Sequence, residues 1–127
     1  MKEIHKSESK WYLQQAEEFL ESAKNSFTQD LLNASGFNAI QSMINANDAL
    51  CIQILGRRAS TDHREAIKLH IDVINSIHDA SMKKRFMRAL ELRSEVGYLG
   101  KPISKNTAEK LLKNAIVFNE WVKTKIL

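Results

Sequence analysis

Arg93 stands where a helical pattern asks for an aliphatic side chain. At intervals of three and four, Met82, Phe86, Ala89, Arg93 and Val96 fall on one face. A charge on such a face is costly to bury unless it is paired, so the position calls for a reason. A guanidinium there can grip a phosphate through its bidentate fork, or hold the charge that builds on a phosphorane-like species. Tyr98 follows within the same stretch, between Gly97 and Gly100. Its phenol, with a reference pKa of about 10, is a poor base at neutral pH. An imidazole titrates near neutrality, so His63 could carry a proton if the fold or a dimer mate brings it to Arg93.

Other residues compete for attention. Asn47 interrupts an apolar stripe made by Ile40, Met43, Ile44, Cys51 and Ile54. It reads either as a buried amide bonded to a neighbouring group or as the lining of a polar pocket that faces Arg93. Lys83, Lys84, Arg85 and Arg88 give one element a strongly basic side, the natural place for RNA phosphates if RNA binds, although such a run is usually a solvated face. With Asn47 and Arg93, these four form the candidate ligand- and RNA-binding set. His63, His70 and His78 are spaced by seven and eight residues, two turns apart. Ligands of one ion sit one turn apart, so no metal site is expected, and no cofactor motif is present. Cys51, the single cysteine, has no ligand partner at suitable spacing and reads as a small core residue in a reducing cytosol.

The elements that must position these groups are helical. Four glycines and one proline in 127 residues are too few for many short strands. The length suits one domain, residues 1–127, with one core. A first helix is expected from about Ser9 to the region of Leu32, and a break at Asn33-Ala34-Ser35-Gly36 with Ser35 as N-cap. A second helix runs on to Leu55 and stops at Gly56. Asp62 with Glu65 marks the start of a third, which continues to about His78. A fourth starts near Ser81 and ends at Gly97, and a fifth, capped by Ser104, runs nearly to the C-terminus. Trp121 lies off the centre of its stripe, at an edge or an oligomer contact. The fold class is thus all-α, an up-and-down bundle of about five helices with four long ones as its frame. Met1-Lys2-Glu3-Ile4-His5-Lys6 leads into charge, so no signal peptide is expected, and no apolar run reaches membrane-spanning length. The net charge of +4 is mildly basic and compatible with a polyanionic partner.

The order of these features resembles a HEPN domain over almost the whole chain. Trp11-Tyr12-Leu13-Gln14-Gln15-Ala16 lies in the first helix, and Gly36-Phe37-Asn38-Ala39-Ile40 opens an alanine-dotted second helix that ends in Leu55-Gly56. His63 starts the third, Arg93-Ser94-Glu95-Val96-Gly97-Tyr98 follows, and Ala108 to Val122 closes the chain. The resemblance implies a bundle that commonly dimerises. In the family's active branch, two protomers form a metal-independent endoribonuclease cleft with an arginine, a polar residue and a histidine a few residues beyond. Many members pair with a minimal nucleotidyltransferase as a toxin–antitoxin system, and in some a tyrosine after the histidine is modified by the partner.

Here Ser94 replaces the usual asparagine and Tyr98 stands where the histidine is expected, so the catalytic set that the resemblance implies is Arg93, Tyr98 and, as a substitute proton carrier, His63. That departure puts first a non-catalytic module that binds a nucleotide, RNA or a partner protein. It would be a cytoplasmic homodimer, with a minimal nucleotidyltransferase as a possible partner and no membrane contact. A metal-independent ribonuclease acting as the toxin of a toxin–antitoxin pair and a purely structural helical dimer are the alternatives.

Overall fold

The computed structural model describes residues 2–3, 5–59 and 62–126, with the side chains of Lys2, Glu3 and Tyr98 outside the description. Five α-helices are present among the described residues: α1 (Ser9–Thr28), α2 (Leu32–Leu55), α3 (His63–Ile77), α4 (Lys83–Arg93) and α5 (Lys105–Ile126). A short antiparallel ladder joins β1 (Lys2–Glu3) to β2 (Arg57–Arg58). The architecture is an all-α helical bundle. No described helix is long and apolar enough to cross a membrane.

α2 is the central element and packs on each of the other four helices. Its sequence suits that place, because small and apolar side chains surround it: Ala39, Ile40, Met43, Ala46, Ala49, Leu50, Cys51 and Ile52 are all fully buried. Against α1 the contact is close. Ser35 Oγ donates to the Ala23 carbonyl at 2.8 Å, and Ser42 Oγ donates to the Ala16 carbonyl at 2.6 Å. Two hydroxyls seven residues apart on α2 thus meet two alanine carbonyls seven residues apart on α1, so the helices touch along two turns. Asn119 of α5 donates to Ser42 Oγ at 2.9 Å and ties a third helix to the same seam.

Helix ends account for the differences from the sequence reading. α1 stops at Thr28 because Asp30 adopts a left-handed conformation (φ 58°). The Leu31 amide then reaches back to the Ser26 carbonyl at 2.9 Å, a Schellman-type ending without glycine. α2 starts three residues before the expected N-cap, running through the expected break, and Ser35 is a buried interhelical donor. Gly36 lies inside the helix, where a Cβ would stand 2.7 Å from Cδ1 of Ile103. Asn33 pins the α4–α5 connection, donating to the Lys101 carbonyl at 2.7 Å and accepting from the Ile103 amide at 3.0 Å. Asp62 caps α3 through the Arg64 amide at 2.8 Å, and Ser104 caps α5 through the Thr107 amide at 3.0 Å, as the sequence suggests. Trp121 is buried, and its indole donates to Asp79 at 2.9 Å, which holds that carboxyl well below the usual range.

Candidate functional site

Directly after Arg93 the α4 helix widens into a π-helical turn, Ser94–Tyr98, closed by the Leu99 amide on the Ser94 carbonyl at 3.0 Å. Such turns insert an extra residue into a helix and often mark functional sites. Gly97 makes this one possible: the ring of Phe37 packs where a side chain would begin, 2.7 Å from the position of a Cβ. The backbone of Tyr98 completes the turn, and its side chain lies outside the described residues.

Arg93 points back across the bundle. Its Nε donates to Gln41 Oε1 of α2 at 2.9 Å, and one terminal nitrogen lies 2.9 Å from His63 Nε2 at the start of α3. A guanidinium carries only donors, so Nε2 of His63 must be the acceptor. The imidazole is therefore neutral in this arrangement, and any ring proton sits on Nδ1. Burial and then the Arg93 charge lower the His63 pKa from its ordinary value, with Asp62 opposing them. Protonation would set two cations 2.9 Å apart and break the pair.

These groups line a pocket of about 360 Å³ between α1, α2, α3, α4 and the connection that carries Arg58 and Asp62. On the α2 wall stand Gln41, Asn45 and Asp48, spaced by four and three and therefore on one face. Asn45 is fixed on both sides, its amide donating to the Gln41 carbonyl at 2.8 Å and its oxygen accepting from Gln15 Nε2 of α1 at 3.1 Å. Asp48 is only 8% exposed, and no described side chain or amide donates to its carboxylate. Desolvation pushes its carboxyl up to about 7, and the Arg58 charge only partly offsets this. Arg58 itself lies over the Tyr12 ring, 5.2 Å from its centroid, and donates to the Ala59 carbonyl at 2.8 Å. The pocket is thus dipolar, with Arg93 and neutral His63 at one end of the α2 face and a buried carboxylate two turns away.

Of the residues singled out from the sequence, the fold brings Arg93 and His63 into contact. The Tyr98 side chain lies outside the described residues, and the remaining candidates stand elsewhere. Asn47 is 1% exposed and hydrogen-bonds His70 Nδ1 at 2.9 Å, on the core side of α2 and not on the pocket wall. Lys84 and Arg88 are exposed on α4, roughly opposite Arg93 at 100° per residue, and Arg88 pairs with Glu91 at 3.2 Å. Lys83 and Arg85 flank that face, Arg85 donating to Asn114 of α5 at 3.2 Å. Gln41, Asn45 and Asp48 carried a legible signal, a polar stripe at helical spacing on an otherwise apolar helix; Arg58, Tyr12 and Gln15 carried none.

The family model of the HEPN domain matches residues 9–125, and the chain belongs to that family. A search of curated proteins returns no significant match. Family membership points to a nucleotide- or RNA-related function or a nuclease-like module.

Proposed function

We propose that this HEPN protein binds a phosphate-bearing ligand, a nucleotide or a segment of RNA, in the pocket at Arg93. The observation that carries the reading is the Arg93 guanidinium, oriented by Gln41 and neutral His63, in the lining of a pocket of about 360 Å³. Pockets of a few hundred Å³ suit small ligands, and an oriented guanidinium is suited to a phosphate. An incoming phosphate would take over the donors now turned to Gln41 and His63. Titration with mononucleotides and with a short single-stranded RNA tests the reading: Arg93→Ala should weaken binding at least tenfold, and equal affinity in both proteins would sink it.

A second reading is favoured by one distance, the 2.9 Å between Arg93 and His63. A neutral imidazole released from Arg93 can accept the 2′-hydroxyl proton of RNA while the guanidinium holds the developing phosphorane charge, without a metal. Cleavage of RNA in EDTA that is lost in His63→Ala, with binding retained, supports this ribonuclease reading. Binding without cleavage leaves the module non-catalytic. The resemblance further supports a cytoplasmic homodimer and a minimal nucleotidyltransferase as partner, acting on Tyr98. Light scattering at micromolar concentration and a mass increase on Tyr98 after incubation with such an enzyme and ATP test these two points.

A further inference from the structure

Arg93 accounts for one end of the pocket and leaves the other unexplained. Asp48 is more than nine-tenths buried, lines the cavity, and has neither a hydrogen-bond donor nor an ion-pair partner among the described residues. Arg58 is near enough to act on its charge but turns its guanidinium to the Ala59 carbonyl and the Tyr12 ring. Its oxygens open onto the cavity and are not sealed in the core, so the fold presents a poorly solvated acceptor to whatever enters the pocket. Asn45, the neighbouring polar group on the same face, donates to the Gln41 carbonyl and accepts from Gln15, and no hydrogen bond joins it to Asp48.

The spacing sets what that ligand can be. Gln41, which orients Arg93, and Asp48 are seven residues apart on α2, about 10 Å along the helix axis. A ligand that uses both ends carries an anion and, roughly that far away, an edge of hydrogen-bond donors. A nucleotide has this form, and the nucleobases differ in the edge they present. Guanine offers two adjacent donors, N1–H and N2–H₂, which match the two oxygens of a carboxylate. Adenine and cytosine each set an acceptor beside their amino group, which a carboxylate repels, and uracil has one N–H between two acceptors.

We infer that Asp48 is the base-reading group of the pocket and that the preferred ligand is a guanine nucleotide, its phosphate at Arg93 and its N1–H and N2–H₂ edge on the Asp48 carboxylate. The inference rests on the proposed binding of a phosphate-bearing ligand at Arg93 and adds the identity of the base. No described group donates a hydrogen bond to that carboxylate, and guanine would supply two donors.

Calorimetric titration of the full chain with guanosine and adenosine monophosphates at pH 8, where the Asp48 carboxyl is ionised, tests it. The wild type should prefer the guanine nucleotide by about 10- to 100-fold, the discrimination of one bidentate base contact. Asp48→Asn, which places a donor and an acceptor at that position, should abolish or reverse the preference and retain binding of the phosphate. Arg93→Ala should weaken both nucleotides together. Equal affinity for the two nucleotides in the wild type, or an Asp48→Asn protein that keeps the preference, overturns the guanine assignment and leaves the Arg93 site standing. Failure of both nucleotides to bind overturns this inference together with the mononucleotide form of the proposed function.

Discussion

Asn47 and Asp48 are consecutive residues on α2, yet they belong to different chemical worlds. Asn47 looks into the core, where it bonds His70 at 2.9 Å and the imidazole stacks on Phe86 at 4.8 Å, with Phe118 and Trp121 about 6 Å away. Asp48 looks into the pocket and is left without a donor. α3 repeats the contrast, since His63 and His70 are seven residues apart and so share a face. His70 sits fully buried beside Asn47, while half-buried His63 accepts from Arg93. One residue on α2 and two turns on α3 therefore separate a polar pair enclosed in the aromatic core from a polar set that lines the pocket. Residue type does not decide which is which; the second partner does.

The largest test of this contrast removes packing on the core side. Phe118 is fully buried and stacks on Phe86, with ring centroids 5.5 Å apart. Phe118→Ala should lower unfolding free energy by about 3–5 kcal/mol, whereas Gln41→Ala on the pocket side should cost under about 1 kcal/mol. Urea denaturation measures both. Similar losses at the two sites would mean that the pocket wall is structural.

Acidification sharpens the contrast next, because the two sides respond with opposite sign. Burial pushes Asp48 up to about 7 from 3.8, so the folded state holds a proton there that the unfolded state releases. That group adds stability below about pH 4, and the contribution is lost as pH rises to 7. Burial pushes His70 down to about 4 from 6.5, so the unfolded state takes the proton first. Its contribution is present above pH 6.5 and is lost as pH falls to 4. Between pH 4 and 6.5 the two slopes cancel, and these groups leave wild-type stability nearly flat. Asp48→Asn removes one of them. The variant should be more stable than wild type at pH 7.5, and on acidification from 6.5 to 4 it should lose about 3 kcal/mol that the wild type keeps. A parallel pH dependence in the two proteins would contradict the assignment of Asp48 to the buried pocket end.

A smaller effect reports on the contact between Arg93 and His63. The histidine pKa should lie below 6.5 in a proton NMR titration and rise towards it in Arg93→Ala, since one of its two lowering causes is gone. The rise is incomplete, because burial, the larger cause, remains. No change on removing Arg93 would mean that the two side chains do not meet in solution.

Much of the fold was legible because local signals and packing agreed. The five helices follow from apolar spacing at three and four, and Gly56, Asp62 and Ser104 mark helix ends where they were read. The α1–α2 junction was misread for a physical reason. Asp30 and not a glycine takes the left-handed turn, and a serine that looks like a cap was needed to bond a neighbouring helix. At the site, Arg93 was legible because a charge breaks an apolar stripe, and His63 because an imidazole at a helix start is chemically conspicuous. Asp48 was hidden by its neighbour. Asn47 interrupts the apolar stripe and drew the reading, although only the positions of α3 and α4 decide which of the two residues faces the pocket.

The basic side of α4 provides the smallest test. Lys84 and Arg88 are exposed, and the Arg88–Glu91 pair at 3.2 Å is exposed at both ends, so removing these charges should alter stability by no more than about 0.5 kcal/mol. Their place roughly opposite Arg93 separates two ligand classes. A mononucleotide in the pocket does not reach that face, and its affinity should be unchanged in Lys84→Ala/Arg88→Ala. An RNA long enough to wrap α4 would release counterions at both places, and its binding to the double variant should show a salt slope shallower by about two. An unchanged slope for long RNA confines recognition to the pocket. A weakened mononucleotide would instead join the outer face of α4 to the site and erase the boundary between the two sides of the molecule.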